Sequence, residues 1–291
     1  MELHLQPGDP AAAARQSALA KVFQNRLAYV GAIGCLIIAL VAIFGPMLVP
    51  HSPFSQSMLN RFASPSVVHW FGTDGFGRDL FSRVIYATRV SVVISLASVL
   101  LGMVLGTVLG VIAGYRRGWV DWVAMEFVNL FLAFPTIVLG ILILVAIGAG
   151  IANMVIALSL AFMPRFIRLA RAETMAISEK AFVEAARACG ASDWRIMFKY
   201  ILPNVAGTAI ITAALWTATA IRAEAALSFL GLGVQPPHPS WGNLISDGLQ
   251  YILGNPGLIM YPSIAIIFAV LSFNMLGDAL RDYFDPRLYD R

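Results

Sequence analysis

The sequence predicts an all-α polytopic membrane protein with six transmembrane helices. Hydrophobic residues make up 59% of its 291 residues, charged residues only 12%, and the mean hydropathy is +0.77. Soluble domains carry about 25% charged residues, so this chain needs lipid to cover its surface. Several uncharged runs are also long enough to cross a hydrocarbon core of about 30 Å as helices.

The first two predicted spans lie on either side of a long polar loop. Leu27 to Val49 follows a polar tail, residues 1–26, and is interpreted as an anchor because no small-residue cleavage site follows the apolar run. Val90 to Tyr115 forms the second span. It carries four glycines at four-residue spacing, a pattern that predicts close packing against a neighbouring helix: Gly102, Gly106, Gly110 and Gly114. The chain is thus divided into the tail, a first span with its loop (27–89) and a transmembrane core (90–291).

The uncharged run from Phe127 to Pro164 is too long for one span. A break into the third and fourth spans is predicted at Gly148, Gly150 and Asn153. Pro135 is expected to kink the third span or to begin its buried part. We expect the fourth span to end among three arginines whose side chains can extend to the membrane interface: Arg165, Arg168 and Arg171.

The last two predicted spans are Val205 to about Leu232 and Leu258 to Leu276. The fifth is interrupted by Arg222 and Glu224, two positions apart on a helix and therefore about 200° apart around its axis. A charge within a span usually faces a cavity or a partner. The two residues are therefore candidates for lining a substrate path, although Arg222 could instead extend to the interface and Glu224 could belong to a local polar network.

Lys and Arg residues are unevenly distributed across the predicted membrane. With the N-terminus inside, four fall outside, in the loop from Pro50 to Arg89: Arg61, Arg78, Arg83 and Arg89. The cytoplasmic set comprises Arg15, Lys21, Arg26, Arg116, Arg117, Arg165, Arg168, Arg171, Lys180, Arg187, Arg195, Lys199, Arg281, Arg287 and Arg291. Because basic residues favour the cytoplasmic side, both termini and the loop between spans four and five are predicted to be cytoplasmic.

That cytoplasmic loop contains a short predicted helix, Glu184-Ala-Ala-Arg-Ala-Cys-Gly190, followed by Ile201-Leu202-Pro203. Gly190 permits a left-handed exit from the helix, Ser192 and Asp193 fit the start of the next helix, and Pro203 fits the start of span five. The alternative is an ordinary amphipathic loop helix.

The segment resembles the EAA loop of ATP-binding-cassette (ABC) importer permeases, in which a short helix docks on a separate ATPase subunit. The resemblance implies a coupling loop at about 172–204. It also implies six residues that couple the chain to the ATPase: Glu184, Ala185, Ala186, Arg187, Gly190 and Asp193.

Longer motifs resemble one subfamily of these importers. Phe71-Gly-Thr-Asp-Gly-Phe-Gly-Arg-Asp79 is similar to an FGTDxxGRD segment that precedes the second span in peptide and nickel permeases. Further matching segments are Ala223 to Pro237, Ser240-Trp-Gly242, Leu276-Gly-Asp278, Arg281-Asp282 and Asp285-Pro286. The chain is identified as a member of the second-permease type of the peptide, nickel, opine and glutathione importers. Arg222 departs from the pattern, which has an apolar residue there.

The resemblance implies a type I ABC importer permease fold in the bacterial inner membrane. Its implied partners are a homologous second permease, two cytoplasmic ATP-binding subunits and an external binding protein. The implied substrates are dipeptides or oligopeptides, with nickel, opines and glutathione as alternatives. An ion-coupled secondary transporter is the alternative from another class, but it would need ionisable residues near the middle of the bilayer and usually an internal repeat.

An enzymatic role is not expected. A Walker A loop needs Gly immediately before its Lys, whereas Lys21, Lys180 and Lys199 follow other residues. No catalytic residue and no bound cofactor are therefore predicted, and ATP hydrolysis is assigned to separate subunits. No metal site is expected, because the histidines have no metal-ligand spacing: His4, His51, His69 and His238. Basic residues beside apolar runs favour membrane orientation over nucleic-acid binding.

Overall fold

The fold is built from α-helices joined by short connections and two longer loops. The structure is a computed structural model that describes residues 26–284. The helices of this range are α1 (Arg26–Leu48), α2 (Leu80–Arg116), α3 (Gly118–Leu132), α4 (Thr136–Ile147), α5 (Ile151–Ser178), α6 (Ala181–Ala188), α7 (Asp193–Arg195), α8 (Leu202–Phe229), α9 (Trp241–Leu249) and α10 (Gly257–Phe284). A π-helical segment, Ile196–Ile201, joins α7 to α8, and a 3-10 turn, Met58–Asn60, lies between α1 and α2. The predicted tail, apart from Arg26, and Asp285-Pro286 lie outside the described residues.

Five stretches of the described helices are long and apolar enough to cross a membrane. They are Leu27–Leu48, Leu80–Arg116, Ile151–Ser178, Asp193–Phe229 and Gly257–Asp282. Helices α3 and α4, with 15 and 12 residues, qualify as a sixth span only together, and they are bent by 96° at the short break between them. Pro135 precedes the first residue of α4, so the kink predicted at this proline is confirmed. The chain is therefore a multi-pass membrane protein.

Two helices extend beyond the predicted spans. Helix α2 begins at Leu80, before the predicted start at Val90, so the division drawn at residues 89 and 90 falls inside a helix. Its first residue is fixed by Asp79, whose side chain accepts a hydrogen bond from the Ser82 backbone N–H at 2.8 Å. The predicted span began after Arg89, which is exposed on the helix. Nearer the start of α2, Arg83 is buried and donates from Nη1 to the Pro53 carbonyl at 3.1 Å. Neither charge interrupts the helix.

The second is α5, which continues past the three arginines at the predicted end of span four to Ser178. These arginines, expected at the membrane interface, bind the bent pair. Arg165 donates to Thr136 Oγ1 of α4 at 2.8 Å. Arg168 and Arg171 donate to Asn129 and Asp121 of α3, at 3.3 Å (Nη2 to Oδ1) and 2.6 Å (Nη2 to Oδ2). The arginine face of α5 therefore attaches both halves of the broken span.

The glycines of α2 lie directly against α5. A Cβ atom built on Gly102, Gly106, Gly110 or Gly114 would lie 2.9, 2.6, 2.5 or 2.7 Å, respectively, from a backbone carbonyl oxygen of α5. Those oxygens belong to Ser159, Met163, Ile167 and Arg171, which also recur at four-residue spacing. Cβ contacts below 3.0 Å require the neighbour to move, and backbone cannot move cheaply. The two helices are thus in backbone contact over four turns.

The remaining helices pack around this pair. Helix α1 lies on α10, where a Cβ on Gly31 would be 2.7 Å from the Leu276 backbone nitrogen. Helix α10 in turn meets α8 at Gly277 and Leu215, where a Cβ added to Gly277 would lie 2.7 Å from Leu215 Cδ2.

The predicted break between spans three and four is confirmed, since α4 ends at Ile147 and α5 begins at Ile151.

Candidate functional site

The EAA segment forms the short helix α6, which ends as the sequence predicts. Gly190 has a φ of +76°, a left-handed conformation that glycine adopts at little cost. The Ala191 N–H donates to the Ala186 carbonyl at 3.0 Å, and the Gly190 N–H donates to the Arg187 carbonyl at 2.9 Å. This pair of bonds is a Schellman motif. Pro203 lies in the first turn of α8, as the sequence predicts. Ser192 occupies the N-cap position of α7, but its side chain makes no capping hydrogen bond.

Most of α6 faces outward. Val183 is fully buried and Ala186 half-buried, while the other five predicted coupling residues are exposed: Glu184, Ala185, Arg187, Gly190 and Asp193. Phe182 is 42% exposed on the same helix. The Glu184 side chain makes no hydrogen bond or ion pair with any described residue. Helix α6 therefore presents an apolar and charged surface that the rest of the described chain does not cover.

Helix α6 is nevertheless firmly attached to three membrane helices. Val183 belongs to a buried cluster with residues of α2, α5, the π-helical segment and α8: Val111, Ala170, Ile177, Ile196, Met197, Ile201 and Val205. At the end of α2, the Tyr115 hydroxyl donates to Asp193 Oδ1 at 2.9 Å. The Arg187 guanidinium lies 5.5 Å from the centre of the Tyr115 ring. Displacing α6 would therefore displace the ends of these helices.

The two charged residues of span five lie in different environments and do not pair with each other. Arg222 is exposed and donates to Thr219 Oγ1 at 3.1 Å. Glu224 is 0% exposed, accepts the Ser228 hydroxyl hydrogen bond at 2.7 Å and leaves its second carboxyl oxygen without a partner in the described chain. Ser91 and Ser240 lie near this carboxyl group. Glu224 thus belongs to a buried polar cluster, and Arg222 faces away from the fold.

The FGTDxxGRD segment forms a buried ionic network at the start of α2. Asp74 Oδ1 accepts hydrogen bonds from the Phe76 and Arg78 backbone N–H groups at 2.9 and 3.0 Å. Its Oδ2 accepts from Arg78 Nε at 2.6 Å and lies 3.4 Å from Arg83 Nε. Gly77 has a φ of +68°, and a Cβ there would strike the Ser57 carbonyl. The motif therefore locks the loop between α1 and α2 onto α2.

A cavity of about 310 Å³ opens beside this network. Its polar lining comes from Arg61, Asp74, Arg78 and Asp247, and Tyr251 closes part of its wall. Asp247 Oδ2 lies 4.0 Å from Arg78 Nη2. Partial burial raises the pKa of the Asp247 carboxyl, although Arg83 and Arg78 lower it. The cavity thus offers both signs of charge to a polar molecule.

Two of the four histidines come together in the same loop, although their spacing along the sequence predicts no metal site. The rings of His51 and His69 are 4.8 Å apart, and His69 Nδ1 lies 2.8 Å from Asp79 Oδ1. His238 lies apart from them, with its Nδ1 3.4 Å from the Tyr86 hydroxyl. His4 lies outside the described residues. The loop folds residues 18 and 10 positions apart into one group, which linear spacing did not reveal.

Two known protein families match this chain. Residues 106–289 match the family described as binding-protein-dependent transport system inner membrane component, and residues 14–65 match the N-terminal transmembrane domain of oligopeptide transport permease C. The first match covers more than half of the chain. This chain belongs to that family.

The permease has close relatives along nearly its whole length. It is 41% identical to the dipeptide transport system permease protein DppC of Alkalihalophilus pseudofirmus, over 94% of this chain and 90% of that one. It is 38% identical to the glutathione transport system permease protein GsiD of Pectobacterium atrosepticum, over 92% and 89% of the two chains. These proteins are transport permeases, and the present chain is a permease subunit of the same ABC importer family.

A solved structure shows the same fold. The MetNI methionine ABC transporter, in inward facing conformations, contains a chain that superposes with a TM-score of 0.53 at 19% identity, covering 69% of the permease and 96% of that chain. At this identity the likeness shows the fold alone. The predicted type I importer permease fold is confirmed.

Proposed function

We propose that the permease forms half of the membrane pathway of an ATP-driven importer of dipeptides or oligopeptides. It pairs with a homologous second permease, receives substrate from an external binding protein and docks on one of two cytoplasmic ATPase subunits. It binds no cofactor and catalyses no reaction itself. The observation that supports docking most directly is α6, a short helix that exposes Glu184 and Phe182 while only Val183 is fully buried.

The proposed mechanism is alternating access driven from α6. Closure of the ATPase dimer moves α6, and the attachment through Val183 and Asp193 transmits the movement to α2, α5 and α8. The backbone contact between α2 and α5 favours movement of these two helices as one body. This chain needs no catalytic group, because geometry converts the movement of the ATPase into a change of access.

The orientation follows from charge. The excess of Lys and Arg beside α6 and at the chain ends favours a cytoplasmic location for both termini and for α6. The loop between α1 and α2, with its ionic network, then faces the external side. There it would meet the binding protein that delivers the substrate.

The names of the relatives support a peptide-like substrate. One relative is named for dipeptide transport and the other for glutathione transport. Glutathione, nickel and opines are the alternative substrates within this proposal. The family match does not support the alternative from another class, an ion-coupled transporter. Uptake into proteoliposomes tests the ATP requirement: an ATP-driven importer loses uptake without ATP, whereas an ion-coupled transporter would sustain it.

Two variants of α6 test the docking proposal. Glu184→Lys reverses the uncovered charge, and Gly190→Pro removes the N–H bonded to Arg187 and demands a φ near −65° in place of +76°. We expect both variants to insert into the membrane normally but to lose co-purification of the ATPase and ATP-linked uptake.

The controls are Gly190→Asn and Glu179→Lys, which reverses a neighbouring exposed charge outside α6 and also breaks its 3.0 Å ion pair with Arg117. Asparagine tolerates the left-handed conformation, and no atom lies within 4 Å of a Cβ added at this position. Both controls should keep the ATPase bound. Normal uptake by Glu184→Lys and Gly190→Pro would refute docking through α6.

A further inference from the structure

The loop between α1 and α2 gathers three metal-ligating side chains into one place. We propose that His51, His69 and Asp79 bind a divalent transition-metal ion of the Zn²⁺ type. One ligand atom from each residue lies within 4.8 Å of the others. His51 follows shortly after α1, and Asp79 directly precedes α2, so a bound ion ties the ends of two membrane helices together.

The donor set suits such an ion. Zn²⁺ takes imidazole nitrogens at about 2.0–2.1 Å and carboxylate oxygens at about 2.0–2.2 Å, and a three-ligand site leaves a fourth position for water. His69 Nδ1 and Asp79 Oδ1 are 2.8 Å apart and share a hydrogen bond. Two ligands on one tetrahedral ion lie about 3.4 Å apart at these bond lengths, so a bound ion replaces that hydrogen bond. The His51 side chain is half-buried and offers its ligand atom within 4.8 Å of the other two, so the three side chains have to draw closer to complete the site.

Outer contacts hold the ligands as metal ligands are commonly held. The second oxygen of Asp79 accepts the Ser82 N–H at 2.8 Å, which leaves the first oxygen for the ion. His51 Nε2 lies 2.9 Å from the Val68 carbonyl oxygen. Donation of that N–H to the carbonyl places the lone pair of His51 on Nδ1. The backbone N–H of His69 donates to Ser66 Oγ at 3.1 Å.

Charge also favours an ion here. Asp79 is 3% exposed, and its only ionic partner among the described residues is His69. By contrast, the nearby Asp74 lies against two arginines. A buried carboxylate without a permanent positive partner is costly, and a divalent cation balances it.

The test is zinc binding to the purified, metal-stripped importer complex, measured by isothermal titration calorimetry and by metal content after dialysis. The wild-type complex should bind one Zn²⁺ that His51→Ala and His69→Ala complexes each bind at least tenfold more weakly. His238→Ala is the matched control, because this histidine lies in another loop and contacts Tyr86 instead. It should bind Zn²⁺ like the wild type.

His51→Ala also separates metal binding from a purely structural role, since the hydrogen bond between His69 and Asp79 survives in it. Zn²⁺ should raise the thermal unfolding temperature of the wild-type and His238→Ala complexes and leave that of His51→Ala unchanged. Absence of Zn²⁺ binding to the wild type, or equal affinity in His51→Ala, would overturn the proposal. Both readouts are independent of transport, so they stand whatever the substrate is.

Discussion

The hydroxyl group of Tyr115, in the last turn of α2, donates a hydrogen bond to the carboxylate of Asp193, which begins α7, 78 residues later in the chain. The bond is 2.9 Å long and joins the end of a membrane helix to the loop that carries α6. It gives that loop a polar attachment to α2 beside the apolar one made by Val183. In the proposed mechanism, both attachments transmit force.

Tyr115→Phe should lower the coupling between ATP hydrolysis and uptake without loss of assembly. An exposed hydrogen bond of this kind contributes about 0.5–1.5 kcal/mol, so we expect the uptake per ATP to fall roughly two- to tenfold. Tyr200→Phe is the control, because the Tyr200 hydroxyl makes no hydrogen bond with the described residues. Equal ratios in the two variants, measured in proteoliposomes, would contradict a coupling role for Tyr115.

Gly106→Ala should destabilise the assembled importer. Its new Cβ would lie 2.6 Å from the Met163 carbonyl oxygen and 2.7 Å from Phe166 Cβ, and overpacking of this kind costs about 1–3 kcal/mol. Gly207→Ala in α8 is the control, since nothing lies within 4 Å of its added Cβ; there the higher helix propensity of alanine makes the change neutral or stabilising. The thermal unfolding temperature of the complex measures both. If the glycines merely loosen the helix, the two variants will behave alike.

Asp74→Asn should be much more damaging than Asp247→Asn. The first change leaves Arg78 and Arg83 without their shared carboxylate in a buried site, at a cost of about 3 kcal/mol. The Asp247 side chain is 61% exposed, and its Oδ2 lies as far as 4.0 Å from Arg78 Nη2. Loss of this carboxylate should therefore scarcely change stability. Thermal unfolding of the two complexes gives the comparison. Similar unfolding temperatures would show that the network around Asp74 does not hold the loop.

Arg222→Leu tests whether this residue contributes to substrate selection. If Arg222 lines the path, it favours substrates with an exposed carboxylate, such as a peptide C-terminus. The change should then alter the preference among acidic, neutral and basic peptides, measured with the same binding protein, while the amount of assembled complex stays constant.

Arg222→Lys keeps the charge and is expected to keep the preference. An unchanged profile in Arg222→Leu would instead assign the arginine to the membrane interface. Its exposed position, bonded only to Thr219 of the same helix, is compatible with either location.

The predicted spans agree with the helices where the length of a charge-free run sets the helix ends. They fall short of the helices where charged side chains lie inside a helix. The break after Ile147 and the end of α6 at Gly190 were predicted, because both depend on local backbone preferences. Helix α2 begins before the predicted span because charge-free length does not register that a helix can continue past the exposed Arg89 or past Arg83, which bonds to Pro53 and forms an ion pair with Asp74. Such pairing is a tertiary property.

The same distinction holds for the functional residues. Glu184 and Gly190 are readable from a local pattern, but nothing in the sequence marked Tyr115, whose partner is far along the chain. Asp74 lies in a motif whose physical role cannot be read from the sequence, and the structure shows that role through its bonds to Arg78. His51, His69 and Asp79 meet only because the loop folds back on itself.

The length of α2 gives the importer a long lever. Its 37 residues correspond to about 55 Å at about 1.5 Å per residue. A tilt of only about 5° about one end would carry the other end through about 5 Å. The N-terminal end of α2 follows Asp79, at the opposite end from Tyr115. A small tilt of α2 about its Tyr115 end would therefore produce a larger displacement of the loop and of the cavity beside it.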